Sequence, residues 1–220
     1  MNKTAIENFQ TLKLNILKLC KKINRNPSDI NIVAVSKQQS NEKIIEFLQT
    51  GHNCFGENRI EETKHKWANI KKGDISLHFV GALQSKKVKE ILNYCDVIET
   101  LDTESSAEKI AKFCDNLKKS PKIFIQINLG KEKQKRGILT NDIEMFLKMC
   151  KEKYNLKIAG AMCLPPNDRD PKKYFQEMRE ICIKYSLNEI SMGMSEDYIE
   201  AIKLGSTNIR IGTSIFGKRK

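Results

Sequence analysis

Proline and tryptophan are scarce in this 220-residue chain, with five and one respectively, and histidine occurs three times. The prolines and glycines stand mostly singly, which excludes a proline-rich arm or a flexible linker. Cysteine is present but unorganised. Cys20, Cys54, Cys95, Cys114, Cys150, Cys163 and Cys182 form no C-x-x-C pair, and only His52, next but one to Cys54, lies near a thiol at ligand spacing. A disulfide framework and a structural metal are therefore not expected, and free thiols fit a reducing compartment. No apolar run approaches the roughly 18 residues a membrane-spanning helix needs. The opening stretch lacks the apolar centre of a secretory signal. It reads instead as an amphipathic helix within residues 1–25, with Ile6, Phe9, Leu12, Leu14, Ile16, Leu17 and Leu19 on a broad face, packed outside the main body. The expectation is a cytoplasmic protein without membrane contact. There is also no G-x-G-x-x-G and no P-loop, which argues against the common nucleotide sites.

Positive charge is abundant: 39 Lys and Arg against 27 Asp and Glu give a net charge of +12. The lysines are spread over nearly every polar stretch, so nucleic-acid binding is not expected as a main function. The charge would still draw a phosphorylated small molecule. A hydrophobic fraction of 40% with 30% charged residues is a globular composition.

A short apolar run, a polar turn and a helical stretch recur along the chain. Candidate strands are 32–35, 54–55, 77–80, 97–100, 123–127, 157–162, 189–191 and 208–211. Most are continuous apolar runs of the kind found in parallel strands buried on both faces. Helix-like segments fall between them at 41–50, 60–70, 86–94, 104–118, 141–153, 174–185 and 196–204, and Ser40, Thr103 and Ser195 stand where N-caps belong. Eight strands alternating with helices predict an α/β fold, a single (β/α)8 TIM barrel over residues 1–220 with an extra N-terminal helix. A doubly wound open sheet is the alternative.

In a barrel the chemistry sits at the C-terminal ends of the strands. The first strand there delivers Ser36 and Lys37, the seventh runs into Ser191-Met192-Gly193-Met194-Ser195, and the eighth into Arg210-Ile211-Gly212-Thr213-Ser214. Loops after strands seven and eight often cradle phosphate on backbone N–H groups. A lysine at a strand end is usually solvated. Lys37, however, follows Ile-Val-Ala-Val-Ser, a run expected to be buried. Partial desolvation favours the neutral amine, which attacks an aldehyde to give an imine. A lysine and a phosphate cradle on one face are what pyridoxal 5′-phosphate (PLP) requires.

The segments IVAVSK, CFGEN, HFVGALQSKK, IFIQINL and SMGMSEDYIEAIKLGSTNIRIGTSIFG resemble the pyridoxal phosphate homeostasis protein family, which is related to the barrel domain of alanine racemase. The resemblance spans residues 32–219. It implies that Lys37 carries the Schiff base and that Ser191 or Ser195, with Gly212 and Thr213, binds the phosphate. It places Arg210 at the pyridine nitrogen, Asn58 near the ring, and His78 and Met162 close by. It implies a non-catalytic carrier that buffers PLP and passes it to apo-forms of PLP-dependent enzymes. Monomer and weak homodimer are both open. A racemase-like enzyme and a phosphosugar-binding barrel are the competing readings. The chain departs from the family in lacking a proline after the lysine, in Ala82, and in Cys163 and Leu164 beside the expected site.

Overall fold

The computed structural model describes residues 4–68, 70, 73–166 and 170–217. The order is α1 (Ala5–Lys22), β1 (Asn31–Val35), α2 (Asn41–Leu48), β2 (Cys54–Glu57), α3 (Ile60–Trp67), β3 (Ser76–Phe79), α4 (Val88–Tyr94) and β4 (Val97–Leu101). It continues α5 (Glu104–Leu117), β5 (Lys122–Ile127), α6 (Ile143–Glu152), β6 (Ile158–Cys163), α7 (Lys172–Lys184), β7 (Glu189–Ser191), α8 (Tyr198–Lys203), β8 (Asn208–Ile211) and α9 (Thr213–Phe216). The eight strands pair in parallel in sequence order, and β8 closes on β1. The predicted (β/α)8 barrel is the fold, and the open sheet is excluded.

Each strand serves two surfaces because its side chains alternate. Outward residues such as Ala34, Phe55, Leu77, Ile98 and Ile209 are buried in one layer with Ile44, Phe47, Trp67, Ile91 and Ile110 of the helices. On the other flank Ile125, Ile127, Ala161 and Ile190 meet Ile143, Phe175 and Met178. Full burial of one such side chain contributes about 1.5–3 kcal/mol. The barrel interior is different: Val97, Phe124 and Met162 form a small apolar plug, surrounded by buried His78, Glu99, Gln126, Ser191, Asn208 and Arg210.

Local signals explain most boundaries. Thr4 and Glu7 form a capping box at α1, and Ser40 and Thr103 accept N–H groups at the starts of α2 and α5. Ser195 does not cap α8; Asp197 precedes that helix, and its Oδ1 accepts from the Met194 N–H at 2.6 Å. The broad apolar face predicted for α1 is narrower in fact. Ala5, Phe9, Leu12, Ile16 and Cys20 are buried, a 3.6-residue stripe, whereas Leu14 and Leu17 lie off it and are exposed. That stripe packs α1 outside the barrel, where Asn8 Nδ2 donates to Ile215 O at 3.0 Å and Phe9 meets Phe47 at 5.0 Å. The predicted third helix ends early, at Trp67, and its residue 69 lies outside the described residues, as do residues 1–3 of the N-terminal segment and 218–219 of the family resemblance.

Candidate functional site at the C-terminal mouth

Lys37 is held by its neighbour. Ser36 is buried; its N–H donates to Gly56 O at 3.0 Å, and its hydroxyl donates to Glu57 Oε1 at 2.6 Å. Its carbonyl accepts from Lys66 Nζ at 2.7 Å. Lys66 and Glu57 form a buried ion pair at 2.9 Å, and Trp67 Nε1 also donates to Glu57 Oε1 at 3.2 Å. Beyond Lys37 the chain turns through Gln38 at φ 61°, whose N–H donates to Glu62. Burial opposes ionisation of Glu62, but Lys66 and that N–H outweigh it and hold its carboxyl below the usual range. The lysine thus leaves β1 from a fixed platform, and its half-buried side chain lines a cavity of about 650 Å³.

The loops after β7 and β8 supply the opposite wall. Gly193 takes φ 94°, in the left-handed region, and a Cβ there would sit 2.5 Å from that of Ala201. Only glycine turns the chain here so tightly against α8. The β7 loop is bonded to β8 and to α9: the Ser214 N–H donates to Ser195 Oγ at 3.1 Å, and the Arg210 N–H donates to Gly193 O at 2.9 Å. Ser195, Asp197, Gly212 and Thr213 line the cavity. Burial pushes the Asp197 carboxyl above its ordinary value.

Arg210 forms the floor. Its Nη1 donates to Ser191 Oγ at 2.5 Å and its Nη2 to Cys163 O at 2.8 Å. Glu99 Oε2 lies 3.8 Å from Nη1 and accepts from Ser191 Oγ at 2.6 Å. The guanidinium is therefore fixed in place rather than free to swing. Burial opposes the Glu99 charge, but His78, Arg210 and Ser191 outweigh it and hold the carboxyl below its ordinary value.

Of the nine sequence-predicted residues, Lys37, Ser195, Arg210, Gly212 and Thr213 line one cavity. Ser191 lies beneath it, buried against Arg210 and Glu99. Asn58 follows β2, half-buried, its carbonyl where a Cβ on Gly81 would fall. Met162 belongs to the interior plug, and His78 lies deeper, facing Glu99 and Cys54. Cys163 brings its backbone to the site, but its thiol packs among Phe175, Met178 and Cys182, and burial pushes it up to about 12. Sequence reasoning missed Glu99, Asp197 and the Glu57–Lys66 pair. A lone glutamate in the apolar run Val-Ile-Glu-Thr-Leu was the available signal, since a buried charge requires a partner.

A primary amine, two hydroxyls, a glycine backbone and a guanidinium converge here in a cavity of ligand size. This donor set fits an aldehyde-bearing, phosphorylated aromatic cofactor. Fold and site define a barrel of the alanine racemase N-terminal class, and residues 8–220 match the family described as "Alanine racemase, N-terminal domain". Proteins named pyridoxal phosphate homeostasis protein are similar over nearly the whole chain. That of Aquifex aeolicus (strain VF5) is 33% identical, covering 98% of this chain and 99% of its own. That of Schizosaccharomyces pombe is 32% identical, covering 88% and 86%. The chain belongs to the pyridoxal phosphate homeostasis protein family. Among solved structures, PipY of Synechococcus elongatus PCC7942, with PLP bound, superposes with a TM-score of 0.80 at 29% identity, over 92% of this chain and 99% of that one. Alanine racemase of Clostridium difficile 630 shares the fold, with a TM-score of 0.68 at 11% identity over 93% of this chain and 56% of that one.

Proposed function

We propose that this chain binds PLP through Lys37 and serves intracellular PLP homeostasis, storing the cofactor and passing it to apo-forms of PLP-dependent enzymes without a reaction of its own. The observation that carries this reading is the convergence of Lys37, Ser195, Arg210, Gly212 and Thr213 on one cavity. PipY, solved with PLP bound, supports it. PLP supplies an aldehyde that a lysine amine takes up as a Schiff base, and a phosphate that anchors it.

Lys37 is the amine. Ser195, Thr213 and the Gly212 backbone hold the phosphate, where the loops after strands seven and eight commonly do so. Arg210 faces the ring nitrogen. Its guanidinium is permanently charged and braced by Ser191 and Cys163 O, so it opposes protonation of that nitrogen. A ring held neutral is a weak electron sink, which suits storage better than carbanion chemistry.

Mixing the PLP-loaded protein with an apo-enzyme tests delivery. Gain of activity by the apo-enzyme with matching loss of cofactor here is expected, and full retention contradicts it. Solvent hydrogen exchange at Cα of amino acids should be negligible; rapid exchange would make the protein an enzyme.

A further inference from the structure

The opposite, N-terminal mouth of the barrel holds a second cavity of about 880 Å³. It is lined by the first residues of the strands, among them Asn31, Cys54, Ser76, Val97, Lys122 and Asn208, and reaches inward to His78. At its inner end Cys54 Sγ lies 3.3 Å from His78 Nε2, and His78 Nδ1 lies 2.6 Å from Glu99 Oε1. This is the order nucleophile, base, orienting carboxylate.

Amide orientation fixes what faces the sulfur. Asn208 Nδ2 donates to the Glu189 carboxylate at 3.3 Å, which leaves its Oδ1 to accept from Asn31 Nδ2 at 3.1 Å. The same Asn31 NH₂ group therefore points its second hydrogen at Cys54 Sγ, 3.3 Å away. Glu99 accepts a hydrogen bond from His78 Nδ1–H, so Nε2 can carry a second proton toward the sulfur. Two groups thus face the sulfur, and one of them is an imidazole that can hand a proton to a leaving group. The charged groups around it are His78 and Glu99 inside, with Arg210 beyond, and Arg25, Asp29, Asp96 and the Lys122–Glu189 pair at the mouth.

We propose that Cys54, His78 and Glu99 form a second reactive centre, at the N-terminal mouth, that exchanges with small disulfides bearing amino-acid ends. The Cys54 thiolate attacks one sulfur of R–S–S–R, the S–S bond breaks, and a mixed disulfide forms on Cys54. The electron pair leaves on the departing RS⁻, which takes the His78 Nε2 proton and departs as RSH. The Cys54 sulfur is oxidised and the departing sulfur reduced, so no further oxidant is needed. The mouth carries both charge signs, Arg25 and Lys122 beside Asp29, Asp96 and Glu189, which matches a ligand with ammonium and carboxylate groups. Thiol–disulfide exchange requires no oxyanion hole, only access to the sulfur and a proton for the leaving group.

Cystine is the probe, with the full-length protein, followed by digestion without reductant and mass spectrometric mapping of each cysteine. Cys54 should acquire the cysteinyl group about tenfold faster than half-buried Cys114. Cystine should also outpace the uncharged 2-hydroxyethyl disulfide at Cys54. Labelling of Cys54 no faster than Cys114 overturns the reactive centre; equal rates for both disulfides overturn the amino-acid specificity. A folded His78→Gln protein should lose about tenfold in rate at Cys54, and an unchanged rate contradicts the role given to His78. Should that variant not fold, the wild-type rates at Cys54 and Cys114 with the two disulfides decide.

Discussion

His78 Nδ1 and Glu99 Oε1 meet at 2.6 Å inside the barrel, with the two side chains 4% and 0% exposed. The other Glu99 oxygen accepts from Ser191 Oγ at 2.6 Å and faces Arg210. One carboxylate thus neutralises a cation toward each mouth of the barrel, and four strands depend on it.

Replacing that carboxylate strands buried positive charge. Glu99→Gln should lower unfolding stability by about 3–5 kcal/mol, the usual cost of removing one partner of a buried pair. Urea denaturation measures it. A loss below about 1 kcal/mol would mean the interior is wet enough to solvate His78 and Arg210 without it.

Stability should fall at alkaline pH. Burial pulls the His78 pKa down, but the hydrogen bonds to Cys54 and Glu99 and the Glu99 charge raise it to about 10, from an ordinary 6.5. Between those values the native state holds a proton the unfolded chain has released, so stability drops as pH rises. The contribution is complete below 6.5 and gone above about 10. Ring ¹⁵N shifts of His78 should show a doubly protonated imidazole at neutral pH; a neutral ring there contradicts this.

The platform under Lys37 can be broken from behind. Lys66→Met leaves Glu57 buried without its cation and removes a donor to Ser36 O. A loss of about 3–5 kcal/mol is expected. Weaker PLP binding should accompany it, read by fluorescence titration, because the Ser36–Lys37 turn loses its anchor. Unchanged affinity would mean β1 alone positions the lysine.

Gly193→Ala tests the phosphate wall. Both the positive φ and the 2.5 Å approach to Ala201 oppose a side chain. The variant should lose about 1–3 kcal/mol and bind inorganic phosphate and PLP more weakly. Equal binding would remove the β7 loop from the site.

The barrel was legible because strands buried on both faces are short continuous apolar runs, and eight of them alternate with helices. The ends of β7 and β8 were read to the residue, at Ser191 and Ile211. Leu14 and Leu17 were misplaced because apolar identity alone does not say which side of α1 faces inward. Ser195 looked like the cap of α8 by position, but its hydroxyl accepts from the Ser214 N–H in the first turn of α9. The pairing inside the barrel was not legible: Glu99 and Ser191 are 92 residues apart, and no local spacing couples them.

Lys37 remains the residue on which the cofactor reading turns. Borohydride reduction of the PLP-loaded protein, followed by peptide mapping, tests it most directly. The account predicts a single pyridoxyl group on Lys37 and loss of the visible band in Lys37→Ala. A pyridoxyl group on any other lysine, or an undiminished band in that variant, would contradict it.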